Sequence, residues 1–333
     1  MPRRRAARDT GARGRSALTV VGIGEALIRL TPQRGDPLEV ASTLDVHVGG
    51  TEANVCASLA RQGVRTAWVS RLPANPLGRR IEAAVRGHGV DTSGIVWASQ
   101  GRAAVMFVQA GAGPRASEIF YYRRDSAFAG IDADEVDWAI LDGVRMVHLT
   151  GITPALSAAA SQLTARAIAE ARRRGARVSF DVNYRATLWD PEPARARVEP
   201  LLRGLDLVVL NDRDAATVFG ERGEPERIAR RLRSRFRCAV LVLTLGEAGA
   251  LAVDATGIRR QPAYPTEIID RIGRGDAFVA GFLRGYLTRG VADGLRYGAA
   301  MAALKQTYRG DVCLATPEAV EAVLRGDSET LRR

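Results

Sequence analysis

Four residues near position 275 combine a phosphate-binding turn with a proton acceptor. Gly273 and Gly275 flank Arg274, and Asp276 follows at the start of an amphipathic helix. Glycines before a helix let successive backbone N–H groups point at one spot, where the positive end of the helix dipole also lies. An aspartate beside such an anion hole can take the proton from a hydroxyl that attacks a phosphate. The open alternative is a glycine turn with Asp276 as the helix N-cap.

A second motif, Gly49-Gly-Thr-Glu-Ala-Asn54, places two glycines at the predicted start of another helix. The polar side chains of its first turn could hold the hydroxyls or the carboxylate of a substrate. Taken by itself, the motif is equally compatible with a capped helix start.

Polar side chains also follow several predicted strands. Asp181-Val-Asn-Tyr-Arg185 ends in an arginine whose forked donors can clamp a carboxylate or a phosphate, with a solvated arginine as the alternative. Leu210-Asn-Asp-Arg-Asp214 offers carboxylates for Mg²⁺, and Thr244-Leu-Gly-Glu-Ala-Gly249 offers a glycine-rich loop for a nucleotide. Ligand sites of open parallel sheets gather at the carboxyl ends of strands, so these segments are candidates for one site.

Other chemistries are excluded by what the sequence lacks. No Gly-Lys-Ser or Gly-Lys-Thr is present, which excludes a Walker-A nucleoside triphosphatase. Gly22-Ile-Gly24 lacks the third glycine of a dinucleotide fingerprint, because Leu27 stands there. The three cysteines and three histidines are scattered without metal-ligand spacing, which predicts buried thiols in a reducing cytoplasm.

The net charge of +11 does not indicate a nucleic-acid partner. Nearly all of the positive charge is arginine, with Lys305 as the single lysine, and residues 1–16 alone hold six arginines against Asp9. We interpret residues 1–16 as a disordered Arg-rich tail, without the apolar segment of a signal peptide. No stretch approaches the roughly 20 apolar residues that span a bilayer. The chain is expected in the cytoplasm, with no nucleic-acid or membrane partner.

The elements that must position the candidate residues alternate between strand and helix. Apolar, β-branched runs at 178–182, 205–210 and 239–243 are typical of buried parallel strands. Residues 155–174 have apolar side chains three and four apart and then reach Gly175, which predicts a helix and its end. The pattern predicts the α/β class with a doubly wound parallel sheet.

Two segments, 27–48 and 95–123, interrupt this alternation. They contain short strands such as Val105-Met-Phe-Val108 and Ile119-Phe-Tyr-Tyr122, with glycine turns and no helix between them. We predict that they pair as a small antiparallel β lid, which would cover a site and exclude water. The main domain is then expected to comprise residues 17–26, 49–94 and 124–333.

Taken together, these segments resemble the PfkB, or ribokinase-like, carbohydrate kinases from about residue 18 to residue 325. The two signatures are the segment 49–54 and Asp270-x-x-Gly-x-Gly-Asp276, in family-like order and separation. Within the family, the chain is most similar to the enzymes that phosphorylate 2-keto-3-deoxygluconate. That similarity rests on Gly24-Glu25, Gly49-Gly50 with Asn54, Tyr121-Tyr-Arg123, Gly151-Ile-Thr-Pro-Ala155, Asp181-Val-Asn-Tyr-Arg185 and Arg309-Gly-Asp311.

The resemblance implies a ribokinase-like fold and a role for each matching residue. The residues implied to contact the sugar acid are Gly50, Asn54, Tyr121, Arg123, Arg185 and Asp311. Those implied to hold ATP are Asn183, Asn211, Thr244, Gly246, Gly249, Gly273 and Gly275. Asp214 is implied to act indirectly on Mg²⁺. The resemblance implies ATP and Mg²⁺ as cofactors, leaves a monovalent cation open, and implies a homo-oligomer formed through the lid.

This sequence departs from the family pattern at four positions. Arg274 stands between the glycines where alanine is usual, and Asp214 is one methylene shorter than the usual glutamate. Met106 replaces a tyrosine that often touches the sugar acid, and Ala299 replaces an asparagine on the adenine side. Glu25, where neutral-sugar kinases usually carry aspartate, favours an acid substrate.

The function predicted from the resemblance is ATP-dependent phosphorylation of 2-keto-3-deoxygluconate to its 6-phosphate, with Asp276 as base. One alternative is another sugar kinase of the same family, such as a fructokinase or a 5-dehydro-2-deoxygluconokinase. An alternative from another class is a catalytically silent, sugar-binding regulatory homologue.

Overall fold

The structure, a computed structural model, describes residues 19–33, 36–109, 111 and 114–327. The predicted tail at 1–16 lies outside these residues. The strands are β1 Val20–Ile23, β2 Leu27–Pro32, β3 Leu44–Gly49, β4 Thr66–Pro73, β5 Ile95–Ala98, β6 Ala104–Gln109, β7 Glu118–Tyr122, β8 Met146–Thr150, β9 Arg177–Asp181, β10 Leu207–Asn211, β11 Val240–Thr244, β12 Ala250–Asp254 and β13 Gly257–Gln261. The helices are α1 Thr51–Arg61, α2 Pro76–Arg86, α3 Thr153–Leu156, α4 Ala158–Arg173, α5 Pro191–Leu202, α6 Asp212–Phe219, α7 Pro225–Phe236, α8 Arg274–Arg289, α9 Val291–Lys305 and α10 Pro317–Arg325.

Nine strands form one large sheet in the order β13-β12-β11-β10-β9-β8-β1-β4-β5. All neighbours from β11 to β5 are parallel, while β12 and β13 are antiparallel at one edge. The chain starts in the middle at β1 and winds outward in both directions, which leaves the strand carboxyl ends along one edge of the sheet. The predicted α/β, doubly wound class is confirmed.

The apolar strand runs are buried because helices cover both faces of the sheet. One core layer packs α4, α5, α6 and α7 against the strands through residues such as Leu163 and Leu232. The opposite layer packs α1, α8, α9 and α10, with Phe282 and Met301 fully buried. Helices α1 and α8, which carry the two signature motifs, therefore lie side by side on one face.

Four strands form the lid sheet in the order β3-β2-β6-β7. The pairs β2/β3 and β6/β7 are antiparallel, whereas β2 and β6 run parallel. Strand β5, at the start of the segment expected in the lid, instead pairs with β4 in the large sheet. The reason is its position directly after α2, which returns the chain to the sheet edge before it leaves for the lid.

The helix predicted over 155–174 is split in two. Ser157 has extended backbone between α3 and α4, and its hydroxyl caps α4 by accepting from Ala160 N at 2.9 Å. In the part of the chain that the structure describes, no helix is both long and apolar enough to cross a membrane.

Candidate active site

Helix α8 begins at the glycine turn that the sequence analysis singled out. Gly273 is its N-cap, with a left-handed backbone at φ +78°. A Cβ atom there would lie 2.0 Å from the backbone oxygen of Asp311, so both conformation and close packing require glycine. Gly275 and Asp276 belong to the first turn, whose N–H groups find no acceptor within a helix. The turn therefore presents N–H donors and the positive helix end to an anion.

The Asp276 side chain does not cap the helix, so the N-cap alternative is wrong. Its Oδ2 accepts a hydrogen bond from Asn54 Nδ2 at 2.7 Å, and the residue is 9% exposed. Burial raises the pKa of Asp276 from 3.8 to about 6, against the opposing effects of the Asn54 hydrogen bond and the Arg185 charge. Asp276 is thus ionised at neutral pH and more basic than a solvated aspartate, which suits a proton acceptor.

Gly49 and Gly50, at the start of the second motif, bring Asn54 to this position. Gly50 is the N-cap of α1, and a Cβ atom on it would lie 2.4 Å from the backbone oxygen of Glu25. A Cβ atom on Gly49 would lie 2.6 Å from Asp311 Oδ1. Only glycine allows the start of α1 to pack this closely, and that packing sets the Asn54–Asp276 hydrogen bond.

A cavity of about 790 Å³ lies between the lid and the carboxyl ends of the strands. We call it the sugar-side cavity; its volume suits a small metabolite. All six residues predicted to contact the sugar acid line it: Gly50, Asn54, Tyr121, Arg123, Arg185 and Asp311. Met106, on the inner face of the lid, lines it as well.

Arg123 enters this cavity already paired with Glu25. Its Nε and Nη2 lie 2.9 Å and 2.6 Å from Glu25 Oε2, and the Ser126 hydroxyl donates to Glu25 Oε1. The guanidinium carbon is also 5.6 Å from the ring centre of Tyr121. Because Glu25 matches the Arg123 charge, this pair orients donors but adds little net positive charge to the cavity.

Arg185 is an exposed cation of the cavity, which Arg213, Arg271 and Arg274 also line. It follows β9 and forms no salt bridge within the described part of the chain. Its charge opposes the burial-driven rise in the pKa values of Asp181, Asp214 and Asp276. Arg185 is therefore free to bind an anionic group of a ligand beside the candidate base.

Asp311 forms a salt bridge with a buried arginine, Arg29, which was not among the predicted site residues. Its Oδ2 accepts from Arg29 Nη1 at 3.0 Å, and Arg29 Nη2 lies 3.2 Å from Asp270 Oδ2. Arg29 lies on lid strand β2, so these ion pairs join the lid to the loop before the anion hole. Arg29 lies between Ile28 and Leu30, so its side chain points to the opposite face of the strand. A single arginine in an otherwise apolar strand was the sequence feature that could have indicated a buried ion pair.

A second cavity of about 770 Å³ adjoins the first and shares Arg185, Arg274 and Gly275 with it. We call it the nucleotide-side cavity. Five predicted nucleotide residues line it: Asn211, Thr244, Gly246, Gly249 and Gly275. The residues that line only this cavity include Tyr264, Pro265, Ala299 and Ala302, an apolar group suited to a base.

Asn183 differs from its expected place. It was grouped with the nucleotide residues, but it lines the sugar-side cavity, with Nδ2 3.5 Å from Thr51 Oγ1. The reason is geometric, because Asn183 leaves the end of β9 in a left-handed conformation (φ +39°) and meets the start of α1. It is thus next to the candidate acceptor site, near Asp181.

Asp214 lies where both cavities meet and is 4% exposed. It accepts from Tyr184 N at 3.0 Å, and Asn211 Oδ1 fixes the helix start by accepting from Asp214 N at 2.7 Å. Burial and the charges of Asp214 and Asp276 raise the pKa of Asp181. This surplus of buried negative charge fits a divalent cation, since Mg²⁺ is usually bound by one or two carboxylates together with substrate phosphates. Among the described residues, no group of three or more His, Cys, Asp or Glu could hold a metal without such phosphates.

Glu52 is a further buried carboxyl that the sequence analysis did not assign. Its Oε1 accepts from the hydroxyls of Thr150 and Thr153 at 2.7 Å and 2.9 Å. A Cβ atom on Gly24 would lie 2.2 Å from its carboxylate, so glycine is needed there to make room for it. Burial raises the pKa of Glu52 to about 7. Glu52 thus ties α1 to β8 beneath the cavity.

An anion hole, a buried base beside it and two adjoining cavities together define an enzyme that transfers a phosphoryl group to a small molecule. Comparison with known proteins supports the same class of enzyme. The family model described as "pfkB family carbohydrate kinase" matches residues 17–317. The chain belongs to this family and is a carbohydrate kinase.

Two sequence relatives and one solved structure are similar to this chain over nearly its whole length. A 2-dehydro-3-deoxygalactonokinase of Haloferax volcanii is 37% identical over 94% of this chain and 99% of its own length. A 2-dehydro-3-deoxygluconokinase of Thermoproteus tenax is 33% identical over 92% of this chain and 94% of its own length. The crystal structure of the Thermotoga maritima 2-dehydro-3-deoxygluconokinase superposes with a TM-score of 0.88, at 30% identity, over 93% of this chain and 99% of that one. The ribokinase-like fold is confirmed.

Proposed function

We propose that this kinase uses ATP and Mg²⁺ to phosphorylate the terminal hydroxyl of 2-keto-3-deoxygluconate, a sugar acid. The observation that carries the proposal is the exposed, unpaired Arg185 in the sugar-side cavity, 790 Å³ in volume, beside Asp276. An acid substrate gives this cation a carboxylate partner, which a neutral sugar would not. Relatives named for two 2-dehydro-3-deoxy sugar acids support the same substrate class.

The residues divide the chemistry between them. Asp276 takes the proton of the attacking hydroxyl, and Asn54 holds the carboxylate in place through its 2.7 Å hydrogen bond. The N–H groups at Gly275 and Asp276 stabilise the charge that develops on the transferring phosphoryl group. Asp214 and Asn211 would hold Mg²⁺ with the phosphates, and the ion would neutralise phosphate charge when bound. The lid covers the acceptor and excludes water.

Arg274 adds a cation at the point of transfer. It is half-buried at the first position of α8 and lines both cavities. Burial and the neighbouring charge of Arg271 lower its pKa, while Glu247 opposes this effect. The charges of the two arginines repel each other, and an incoming phosphate would relieve that repulsion. We propose that Arg274 binds the transferring phosphoryl group, as a mobile cation does in other phosphoryl-transfer enzymes.

A panel of acceptors tests the substrate. ADP release should be fastest with 2-keto-3-deoxygluconate or its C4 epimer 2-keto-3-deoxygalactonate, and at least about 100-fold slower, as kcat/KM, with fructose and 5-dehydro-2-deoxygluconate. Arg185→Gln should lower kcat/KM for the preferred acid by a similar factor, since it removes a charged hydrogen bond. Arg80→Gln, an exposed arginine on α2, is the control. Preference for fructose, or full activity of Arg185→Gln, would contradict the proposal.

We also propose that the outer face of the lid pairs with a second copy of the chain. Strand register places eight apolar side chains on one face of the lid: Ile28, Leu30, Val46, Val48, Val105, Phe107, Phe120 and Tyr122. Four of them, Ile28, Leu30, Val48 and Val105, pack against the chain's own core. Val46, Phe120 and Tyr122 are 41%, 46% and 61% exposed, and a second copy would cover these three apolar side chains.

Light scattering with size-exclusion chromatography tests this lid contact. The wild type should elute as a dimer or larger, and Phe120→Arg should shift it to a monomer at micromolar concentration, because a buried unpaired charge opposes association. Leu77→Arg, at an equally exposed apolar residue on α2, should leave the mass unchanged. A wild-type monomer would refute the contact.

A further inference from the structure

Lys305 is the single lysine of the chain, and arginine supplies all of its other permanently charged basic side chains. It ends α9, is 0% exposed and does not line either cavity. Burial of an ammonium group is costly unless its donors and its charge are matched by neighbours. A buried lysine at one position of an arginine-rich chain therefore needs a specific reason.

The surroundings of the ammonium group resemble the binding site of a small cation. Nζ donates to the backbone oxygens of Asp270 and Tyr308 at 3.4 Å and 3.3 Å, and lies 5.2 Å from the centre of the Tyr308 ring. Burial lowers the pKa of Lys305, while the charges of Asp270 and Asp311 oppose that effect and Arg29 adds to it. Carbonyl oxygens, an aromatic face and nearby carboxylates are the groups that stabilise a desolvated monovalent cation.

The two carbonyl groups belong to the two loops that shape the anion hole. The loop 269–273 ends at Gly273, and the loop 306–311 ends at Asp311, whose backbone oxygen packs directly against Gly273. Gln306 O accepts from the N–H groups of residues 269 and 270 at 2.8 Å and 3.2 Å, and Gly310 N donates to Asp270 Oδ2 at 3.2 Å. The Lys305 ammonium is thus a further link between loops whose spacing fixes the N-cap of α8.

The chemistry of the side chain explains why arginine does not stand here. An ammonium group is a compact point charge with rotatable donors, whereas a guanidinium group is a wide planar fork. The backbone oxygens of Asp270 and Tyr308 converge on one buried point, which suits a compact ammonium group and leaves no room for a planar guanidinium group.

We propose that Lys305 is a positioning residue whose ammonium group acts as a tethered monovalent cation, holding the anion-hole loops so that turnover needs no such cation from solution. This inference concerns the loops rather than the acceptor, and it answers the question of a monovalent cation that the sequence left open. Only its activity readout rests on the proposed function; melting temperatures test it without a substrate.

The first experiment uses the wild-type enzyme at constant Mg²⁺ and ionic strength. We expect kcat to agree within about twofold in chloride salts of K⁺, Na⁺, NH₄⁺ and choline, because the cation position is filled by the chain itself. The melting temperature should likewise not depend on which of these cations is present. A gain of about tenfold in kcat in K⁺ over choline would overturn the proposal.

The second experiment removes the ammonium group. Lys305→Ala leaves a space lined by carbonyl oxygens, and kcat in choline chloride should fall at least about 30-fold through misplacement of the anion hole, with the KM for the acceptor little changed. NH₄⁺ or methylammonium should restore kcat at least about tenfold and raise the melting temperature. Lys305→Met, whose side chain fills the space without a charge, should lose as much activity and respond to neither cation.

These variants separate a positioning role from a merely structural one. Full kcat in Lys305→Met would overturn the proposal, as would a Lys305→Ala enzyme that is inactive but responds to no cation in activity or melting. If both variants fail to fold in choline, the proposal still requires Lys305→Ala to fold on addition of NH₄⁺ while Lys305→Met does not.

Discussion

Asp276→Asn is expected to lower kcat by about 10²- to 10⁴-fold, the range for loss of a general base. The amide is the same size as the carboxylate, and its oxygen can still accept the hydrogen bond from Asn54 Nδ2, which is 2.7 Å long in the wild type. Binding should therefore persist while the proton acceptor is lost. ADP release under saturating acceptor and ATP measures the effect, and near-normal turnover would refute the assignment of the base.

The same variant should not be destabilised. Burial raises the pKa of Asp276 from 3.8 to about 6, so the folded protein favours the protonated form. The free energy of unfolding therefore decreases as pH rises from about 4 to about 6, and it stays lower at neutral pH. Asparagine carries no charge, so the free energy of unfolding of the variant does not decrease in this way as pH rises. We expect the melting temperature of Asp276→Asn at pH 7.5 to equal or exceed that of the wild type, which distinguishes lost chemistry from lost folding.

The wild-type pH profile gives an independent check on the same carboxylate. The base must be ionised, so kcat/KM should fall about tenfold per pH unit below the pKa of about 6. Asp276→Asn should lose that limb of the profile in its residual activity. A wild-type profile that stays flat down to pH 5 would place the titrating base elsewhere.

Gly273→Ala is expected to lower kcat by about 10²- to 10³-fold, because it disrupts the donors of the anion hole. The new Cβ atom would lie 2.0 Å from the backbone oxygen of Asp311, and the residue would have to keep φ near +78°. The clash pushes the start of α8 away from the loop 306–311 and misdirects the N–H groups at Gly275 and Asp276. The left-handed backbone alone costs about 1 to 2 kcal/mol for alanine.

Gly326→Ala is the matched control for this prediction. Gly326 has nearly the same backbone conformation, with φ +82° and ψ 13°, but a Cβ atom there meets nothing within 4 Å. The Gly326→Ala variant should show the cost of the left-handed backbone as a lower melting temperature, with kcat unchanged. Equal activity losses in the two variants would mean that Gly273 acts through general stability. Wild-type activity in Gly273→Ala would mean that the anion hole lies elsewhere.

Local features of this protein could be inferred before any tertiary structure was known. The buried strands carry continuous apolar runs, and the helices carry apolar residues three and four apart, because these patterns follow directly from backbone geometry. Gly273 and Gly50 could be singled out because only glycine tolerates left-handed backbone or close packing at a helix start. The change in periodicity predicted the division between main domain and lid, and the strand at 95–98 was wrongly assigned to the lid.

The partners of charged side chains depended on the tertiary structure. Arg123 looked like a free ligand for a sugar acid and proved to be paired with Glu25, 98 residues away. Asp311 proved to be held by Arg29 at a separation of 282 residues. Such pairs are set by how distant segments pack, and no local pattern encodes them.

The basicity of the candidate catalytic group was also decided by folding. Asp276 is an ordinary aspartate in the sequence, and its pKa of about 6 arises only when folding buries it. The glycine spacing and the residue types predict which residues bind phosphate and accept a proton, and these roles stay predictions. Only the tertiary structure determined which charges remain free, because desolvation and ion pairing are properties of the packed molecule rather than of any segment.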